Sequence, residues 1–328
     1  MAVTTSGTFD ASQTTMSAKA RRVILQDRIF YYLALASAVL VVLVLIGVMI
    51  SLVVGAWPAI THSGLGFLWT ERWSKKAQIF GALAPIYGTI ITSVIAMVIG
   101  IPVSFGIAIF LTEICPQALR RPIGVAVELL AGIPSIIYGL WGFFYLAPFM
   151  AKYIQPGFDA TVAKIPILGQ IFVDSGSGLN LFTAGIILAI MVLPFITSIT
   201  RDVFQTVPTL LRESAYGMGM TTWEVVRHIV IPYTRVGLVG GIMLGLGRAL
   251  GETMAVTFVI GNSHHILPSL LAPGQTISST LANEFTEATD PLYTSSLIAL
   301  GLILFFVTFV VLAAAKVLLV RANRQAGN

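Results

Sequence analysis

The sequence predicts an all-α, polytopic membrane protein with six transmembrane helices and both termini in the cytoplasm. Hydrophobic residues make up 56% of the chain and charged residues only 10%, with a mean hydropathy of +0.91. Soluble domains carry roughly 25% charged residues. The apolar residues are gathered into six long runs, and the basic residues are divided unequally between the connections. These three observations together define the predicted fold class.

Each of the six apolar runs is long enough to cross the hydrocarbon core, which takes about 20 residues. In chain order the runs cover residues 29–56, 85–112, 123–150, 179–200, 235–261 and 292–319. Pro102, Pro134 and Pro194 fall inside runs, where neighbouring helices can cover the carbonyl groups that a kink exposes. We therefore expect six helices, three of which contain a proline.

The basic residues favour one side of the predicted membrane. Of the 19 lysines and arginines, thirteen fall in the N-terminus, the second-to-third connection, the fourth-to-fifth connection and the C-terminus. Five fall in the other connections, and Arg248 lies inside a run. Cytoplasmic connections carry the excess of basic residues. We therefore expect a polar cytoplasmic N-terminal segment at 1–28, a transmembrane domain at 29–320 and a cytoplasmic tail at 321–328, without a cleavable signal peptide.

Several classes of function are excluded by what the sequence lacks. A single cysteine, Cys115, allows neither an intrachain disulfide nor a cysteine-based metal site. The adjacent His264 and His265 lie in a polar connection and are expected to be solvated, with metal binding as the alternative. The basic residues are scattered between apolar runs, which argues against nucleic-acid binding. We find no nucleophile and base pattern for an enzyme, and no inverted repeat for a secondary transporter.

The connection between the fourth and fifth runs, residues 201–235, is long and patterned. Its first part predicts a short amphipathic helix whose apolar face carries Leu210, Leu211, Ala215 and Met218. Gly217 and Gly219 end this helix, Thr221 or Thr222 caps a second helix with Glu224 in its first turn, and Pro232 ends that second helix. Such a pair fits a groove in a partner protein and equally fits lipid headgroups.

A stretch of this connection, ESAYGMGMTTWEVVRHIVIP, resembles the EAA loop of ABC importer permeases. The family pattern is Glu-Ala-Ala, three residues, Gly, nine residues, Ile-x-Leu-Pro. Residues on that spacing are Glu213, Ala215, Gly219, Ile229 and Pro232, with Ser214 in place of the second alanine and Ile231 in place of the leucine. The resemblance implies that residues of about 205–234 form a cytoplasmic loop that docks on an ATPase.

The sequence contains no G-x-x-x-x-G-K-[ST] pattern, so we expect the ATPase to be a separate polypeptide. No cofactor is expected in this chain, since ATP and Mg would be bound by that ATPase.

Two further stretches, ELLAGIPSIIYGLWG and GGIMLGLGRALGETMAVTFVIGN, resemble the PstC-type permease subunits of bacterial phosphate ABC importers. The resemblance covers the chain from the first run onward. It implies a MetI-like permease fold in the bacterial inner membrane. It also implies assembly with a PstA-type second permease subunit, a dimer of PstB-type ATPase and a PstS-type periplasmic phosphate-binding protein.

Two charges, Arg248 and Glu252, stand inside the fifth run, although a charge at the bilayer centre costs about 2.5–3.5 kcal/mol on insertion scales. A guanidinium offers five donors in a planar fork that matches a phosphate. We expect Arg248 to meet the anion, and Glu252, one helical turn away, to neutralise Arg248 between transport events. The alternative is that the pair only makes each charge tolerable in the bilayer.

Other residues are secondary candidates. The hydroxyls of Ser135 and Tyr138 can donate to an anion in the path, although a serine beside Pro134 more often bonds a carbonyl that the kink frees. Glu128, near the end of its run, is left out of the path. We expect the small-residue series Gly241, Gly245, Gly247 and Gly251 to pack against the partner subunit.

The acidic connection before the last run carries Glu284, Glu287 and Asp290. We expect a solvated loop there, and a docking face for a partner is the alternative. Charge reasoning also leaves sulfate and molybdate open as substrates, because one arginine suits any tetrahedral oxyanion.

Overall fold

The computed structural model describes residues 18–161, 172–173 and 176–326. Within these ranges the chain is helical, and its β-structure is limited to two isolated bridges. The helices are α1 Ala18–Ser63, α2 Gly66–Trp69, α3 Leu83–Ile109, α4 Gln117–Ala131, α5 Ser135–Trp141, α6 Ala147–Phe149, α7 Gln155–Thr161, α8 Leu181–Gln205, α9 Thr209–Gly217, α10 Thr222–Val225, α11 Ile231–Leu250, α12 Met254–Val259, α13 Ile277–Glu284 and α14 Pro291–Ala326. Wider π-helical turns extend α3 and join neighbouring helices without interruption, at Phe110–Ile114, Gly142–Leu146, Met150–Ile154 and Val226–Val230.

Five continuous helical segments of the described chain are long and apolar enough to cross a membrane. A sixth crossing is present if α4 and the segment Ser135–Phe158, which form a bent pair, count as one. These five segments are Val23–Ser63, Leu83–Ile114, Leu181–Gln205, Thr222–Leu250 and Pro291–Val317. All six predicted runs fall on helices. The third run, in which Pro134 predicts a kink, leaves the helix altogether at residues 132–134. The prediction of one helix over 235–261 is wrong, because the backbone leaves the helix at residues 251–253.

The predicted ends of the chain are covered only in part. Helix α1 begins at Ala18, inside the predicted polar segment 1–28, whose first 17 residues lie outside the described residues. In the predicted tail, residues 327–328 also lie outside them. The described side chains of α1 up to Ser51 are almost all exposed.

Helix α8 lies in the main hydrophobic core, between α3 and α11. It runs parallel to α3, since Gly185 faces Ile95 and, further along both helices, the Ser104 hydroxyl donates to the Leu193 carbonyl at 3.3 Å. A Cβ atom on Gly185 would lie 2.5 Å from Ile95. The absence of a side chain at this position therefore allows the two helices to pack closely.

Glycines also bring α11 against α8. A Cβ atom on Gly237, Gly241 or Gly245 would lie 2.6–2.9 Å from side chains of α8, which are Val203, Ile199 and Ile196 respectively. The reversed order of the contacts shows that α11 is antiparallel to α8. The prediction that Gly241 and Gly245 pack against a partner subunit is therefore wrong, because these positions are buried within the same chain.

The last helix packs antiparallel to the end of α1. The Ser295 hydroxyl donates to the Gly55 carbonyl at 2.8 Å and accepts from the Ala59 N–H at 3.0 Å, while Ile298 covers Gly55. The parallel pair α3 and α8, the antiparallel pair α8 and α11 and the antiparallel pair α1 and α14 are each compatible with a six-span topology. Which end of the bundle faces the cytoplasm stays a prediction from the basic residues.

The acidic connection before α14 is organised around a buried carboxylate. Glu284 is 9% exposed and accepts hydrogen bonds from Trp73 Nε1 at 2.7 Å and from the Tyr293 hydroxyl at 2.5 Å. His264 Nε2 lies 2.8 Å from its other oxygen, and the His264 ring stacks on Trp73. The expectation of solvated side chains is therefore wrong for Glu284 and His264. Their contacts connect the segments that contain Trp73, His264, Glu284 and Tyr293.

The electrostatics of Glu284 follow from these contacts. Burial raises its pKa, but the hydrogen bonds from His264, Tyr293 and Trp73 outweigh burial, so the pKa of Glu284 lies below its ordinary value. By contrast, Glu287 forms an exposed ion pair with Lys75 at 3.0 Å.

Replacing Glu284 by glutamine is expected to lower the free energy of unfolding by about 1.5–3 kcal/mol at pH 7, because hydrogen bonds to a charged group are lost. The measurement is the Tm of the purified chain in detergent. The pKa is lowered on folding, so the stabilisation is present above the ordinary glutamate value of about 4.3 and is lost as the pH falls through the folded value. The difference between wild type and Glu284→Gln therefore shrinks in acid.

The matched control is Glu287→Gln, which removes an exposed pair and should change stability by about 0.5 kcal/mol or less. Equal losses of Tm in the two variants at pH 7 would contradict the central role of Glu284.

Candidate translocation site and coupling loop

The third predicted span is divided between α4 and the helical segment Ser135–Phe158, which begins with α5, and the two meet at 88°. Between them lie residues 132–134, which end in Pro134. Proline has no N–H and disfavours helical geometry in the residue before it, so the helix stops here. In an unbroken helix the Leu130 carbonyl would accept a hydrogen bond from the backbone N–H of residue 134, which proline lacks. The Tyr138 hydroxyl donates to this carbonyl at 2.9 Å, and the Ile133 N–H donates to it at 3.3 Å.

The fifth predicted span is interrupted in the same way. Helix α11 ends at Leu250, and α12 begins at Met254. Between them, the Glu252 carboxylate accepts from the Ala255 N–H at 3.3 Å. A side-chain acceptor at the start of a helix satisfies an N–H group that has no intrahelical partner. Glu252 therefore caps α12.

The two interruptions lie next to each other because α5 packs against α12. A Cβ atom on Gly139 would lie 2.8 Å from the Phe258 ring and 3.0 Å from Ala255 Cα, and one on Gly142 would lie 2.8 Å from Val259. Non-helical backbone at membrane depth is tolerated where protein covers it or where it lines an aqueous cavity. The adjacent interruptions therefore mark the candidate translocation site.

Arg248 lies in the last turn of α11, just before the interruption. Its guanidinium lies over the ring of Phe195 in α8, with Cζ 4.3 Å from the ring centroid. Phe195 is near the middle of α8, so Arg248 is at mid-depth in the bundle. The side chain is exposed, and among the described residues it has no ion pair and no hydrogen-bond acceptor.

The predicted ion pair between Arg248 and Glu252 is not formed. The prediction assumed a continuous helix, which places side chains four residues apart on one face. Instead the helix ends at Leu250, and the Glu252 carboxylate caps α12.

The structure assigns the two hydroxyl candidates different surroundings. Ser135 is the first residue of α5, is half-buried and has no hydrogen-bond partner among the described residues. Tyr138, rather than the serine, bonds the carbonyl near the kink. Ser135 therefore keeps a hydroxyl available beside the interruption.

The connection between α8 and α11 contains the expected pair of helices. Gly219 has φ +86°, a left-handed conformation that glycine adopts without strain. Thr221 caps α10 through a capping box with Glu224, as predicted. Ala215 is 1% exposed and packs in a small core with Phe204, whereas Glu213 and Ser214 are exposed.

The prediction that Pro232 ends the second helix is wrong. The π-helical turn Val226–Val230, which contains the half-buried Ile229, precedes the proline and connects α10 to α11 without interruption. A π-helical turn bonds residues five apart, so it relieves the steric conflict between a proline ring and the carbonyl four residues earlier. The helical segment therefore runs from Thr222 to Leu250.

Sequence reasoning missed two ion pairs near this connection. Arg212 contacts the buried Glu113 at 2.8 Å and donates to the Phe204 carbonyl at 2.5 Å, which fixes α9 to the ends of α3 and α8. Glu128 contacts Arg201 at 2.6 Å. The sequence did contain a signal for both ion pairs: each carboxylate lies near the end of an apolar run, on the side of the predicted membrane where the arginines are concentrated.

Comparison with known proteins identifies the family. Residues 104–324 match the family model described as binding-protein-dependent transport system inner membrane component. The chain is 59% identical to the phosphate transport system permease protein PstC of Mesorhizobium japonicum, over 97% of each chain. It is 52% identical to PstC of Pasteurella multocida, over 88% of this chain and 90% of the relative. The chain belongs to the binding-protein-dependent transport permeases and, within them, to the PstC-type permease subunits.

Solved structures show the same fold. A bacterial ABC transporter that imports the acidic polysaccharide alginate matches 92% of this chain and 99% of its own, with a TM-score of 0.56 and 16% identity. The inward-facing methionine transporter MetNI matches 76% of this chain and 99% of its own, with a TM-score of 0.53 and 17% identity. The expected MetI-like permease fold is thereby confirmed.

Gly139→Ala is expected to destabilise the chain by about 1–3 kcal/mol, because the added methyl overpacks the contact between α5 and α12. Thermal unfolding in detergent measures the effect. The control is Gly106→Ala in α3, where a Cβ atom meets nothing within 4 Å and alanine should favour the helix by about 0.5–1 kcal/mol. A Gly139→Ala variant as stable as Gly106→Ala would mean that close packing of the two interruptions is unimportant.

Proposed function

We propose that this chain is a permease subunit of an ATP-driven importer that moves inorganic phosphate from the periplasm to the cytoplasm across the bacterial inner membrane. The observation that carries the proposal is Arg248, a guanidinium at mid-depth without a protein acceptor, beside two helix interruptions. The names of the relatives, phosphate transport system permease proteins, support phosphate as the substrate.

Arg248 is suited to meet an anion. The Arg248 guanidinium lies over the Phe195 ring and donates no hydrogen bond to any described residue, so its N–H groups remain available to a ligand. These donors match the oxygens of a phosphate in a bidentate geometry. In a site of low dielectric constant, one such charge offsets much of the cost of desolvating the anion.

Glu252 is proposed to limit how long the anion stays. Its carboxylate caps α12 close in sequence to Arg248 without pairing with it. An anion held by Arg248 would therefore experience repulsion from a nearby negative charge, which favours release. Ser135 and Tyr138 are proposed to supply donors from the other interruption.

The connection around α9 is proposed to dock on a PstB-type ATPase dimer, which binds ATP and Mg. Three apolar side chains are strongly exposed there, Leu210 at 71%, Met218 at 72% and Trp223 at 61%. A groove in a partner would cover such a surface. A PstA-type second permease subunit would complete the path, and a PstS-type periplasmic protein would deliver phosphate.

A permease for another oxyanion, sulfate or molybdate, is the alternative. Arg248 alone does not distinguish tetrahedral anions, so the names of the relatives are what favours phosphate. Competition decides between the two: uptake of labelled phosphate by the assembled importer should be unaffected by an excess of sulfate or molybdate.

Arg248→Gln is expected to lower phosphate uptake about ten- to hundredfold, since a charge-assisted contact contributes roughly 1.5–3 kcal/mol. The amount of assembled complex should be unchanged. Arg248→Lys should also transport poorly, because an ammonium cannot replace the bidentate fork. The control is Lys316→Gln, which removes an exposed positive charge elsewhere.

The double variant Arg248→Gln/Glu252→Gln should remain inactive, because the two residues form no pair that a double change could restore. The measurement is uptake normalised to assembled complex. Full recovery in the double variant would mean that the arginine is structural and that the phosphate path lies elsewhere.

Gly219→Val is expected to weaken co-purification with the ATPase subunit, because a β-branched residue at φ +86° strains the turn between α9 and α10. Gly217→Val is the matched control, since a Cβ atom also meets nothing within 4 Å there and the backbone is helical. Undiminished co-purification and uptake for Gly219→Val would favour the interpretation as a helix resting on lipid.

A further inference from the structure

A polar pocket of about 350 Å³ lies between α4 and the last two turns of α8. The polar residues that line it are Gln117, Arg120, Arg121, Glu128, Arg201 and Gln205. Three guanidinium groups thus face one carboxylate, and Asp202 lies beside Arg201 at 2.9 Å. Even with both carboxylates counted, the charge of the pocket is positive.

The three arginines differ in what already binds them. Arg201 is held by Glu128 and Asp202, and its guanidinium lies over Gly124, where a Cβ atom would be 2.7 Å away. Arg120 donates to the Thr112 carbonyl at 2.8 Å. Arg121 is exposed and has no ion pair or hydrogen bond among the described residues. The pocket therefore combines two anchored cations with one that is available to a ligand.

The backbone of α4 favours an anion at the same place. The 15-residue helix begins at Gln117, and Pro116 before it supplies no side-chain cap. The Leu119 and Arg120 N–H groups donate to the Pro116 carbonyl, whereas no hydrogen bond from the Gln117 or Ala118 N–H is present among the described residues. These two N–H groups keep donor capacity, and the helix dipole attracts negative charge. Leu119 at 51% and Leu129 at 69% are exposed apolar side chains on α4, a surface that lipid can cover.

The pocket is separate from the candidate translocation site. Phe195, whose ring contacts Arg248 of α11, lies six residues before Arg201 on α8. At 3.6 residues per turn this separation places them about 9 Å apart along the helix and roughly 120° apart around it. The two arginines therefore face different sides of α8.

We propose that this pocket binds the phosphate group of an anion. Arg121 and the start of α4 would contact the anion, and the positive charges of Arg120 and Arg201, which are held in place by the protein, would attract it. The ligand is either the headgroup of an anionic phospholipid or inorganic phosphate. Both present the same negatively charged oxygens, for which the guanidinium fork is suited. The site does not depend on the transport proposal, because it is tested by binding.

The test uses the purified full chain with two probes: short-chain phosphatidylglycerol, followed by native mass spectrometry, and inorganic phosphate, followed by ³¹P NMR titration. Arg121→Gln should weaken binding about fivefold, the contribution of one basic residue near an anionic surface. Glu128→Gln should strengthen binding by a similar factor, since it removes the acidic lining while Asp202 still holds Arg201. A merely damaged fold cannot produce this opposite change.

The two probes distinguish the source. Opposite changes with phosphatidylglycerol alone identify a lipid headgroup, and opposite changes with inorganic phosphate alone identify the free anion. Neutral phosphatidylcholine should bind weakly, and Lys316→Gln, which removes an exposed cation outside the pocket, should leave binding unchanged. The proposal is overturned if Arg121→Gln and Glu128→Gln change neither probe, if both weaken binding, or if Lys316→Gln weakens it as much as Arg121→Gln.

Discussion

The two helix interruptions depend on each other, because backbone polar groups in a bilayer must be covered by protein or lie in an aqueous cavity. The interruption before α5 is stabilised by Tyr138, whose hydroxyl donates to the Leu130 carbonyl. Pro134 has no N–H that could donate to this carbonyl. The interruption before α12 is stabilised by Glu252, which caps that helix. Close contact between Gly139 and Ala255 then joins α5 to α12. Without this contact, each interruption would expose peptide groups to hydrocarbon.

The arginines of the bundle show how the same side chain takes structural and functional roles. Arg212 is paired with a buried carboxylate, Glu113, so its charge is balanced within the fold. Arg201 is paired with Glu128 in the same way. Arg248 alone of these three contacts an aromatic face instead of a carboxylate. Leaving a charge without a counter-ion at mid-depth costs free energy, and an anionic cargo would supply the balance that the chain does not.

Features determined by local sequence were predictable, and features determined by distant contacts were not. The apolar runs, the Thr221 capping box and the glycine turn at Gly219 each depend on a few neighbouring residues. Pro134 indicated a kink in the third run, but the interruption at residues 251–253 was missed because three non-helical residues barely change the hydropathy of a run. The burial of Glu284 was missed for another reason: its partner Trp73 lies 211 residues away in the sequence. Distance in sequence likewise concealed the contact of Gly241 and Gly245 with α8.

The error at Pro232 has a mechanical consequence. Because the π-helical turn lets the helix pass the proline, one helical segment connects Thr222, beside the proposed ATPase-docking loop, to Arg248, beside the interruptions. At 1.5 Å per residue these ends are roughly 39 Å apart. A helix transmits displacement along its axis with little loss, and it bends most readily where its hydrogen-bond ladder is irregular, here the turn Val226–Val230. In the proposed importer, movement of the loop by the ATPase would therefore reach the guanidinium of Arg248 along one helical segment, with the turn Val226–Val230 as the place where that segment bends.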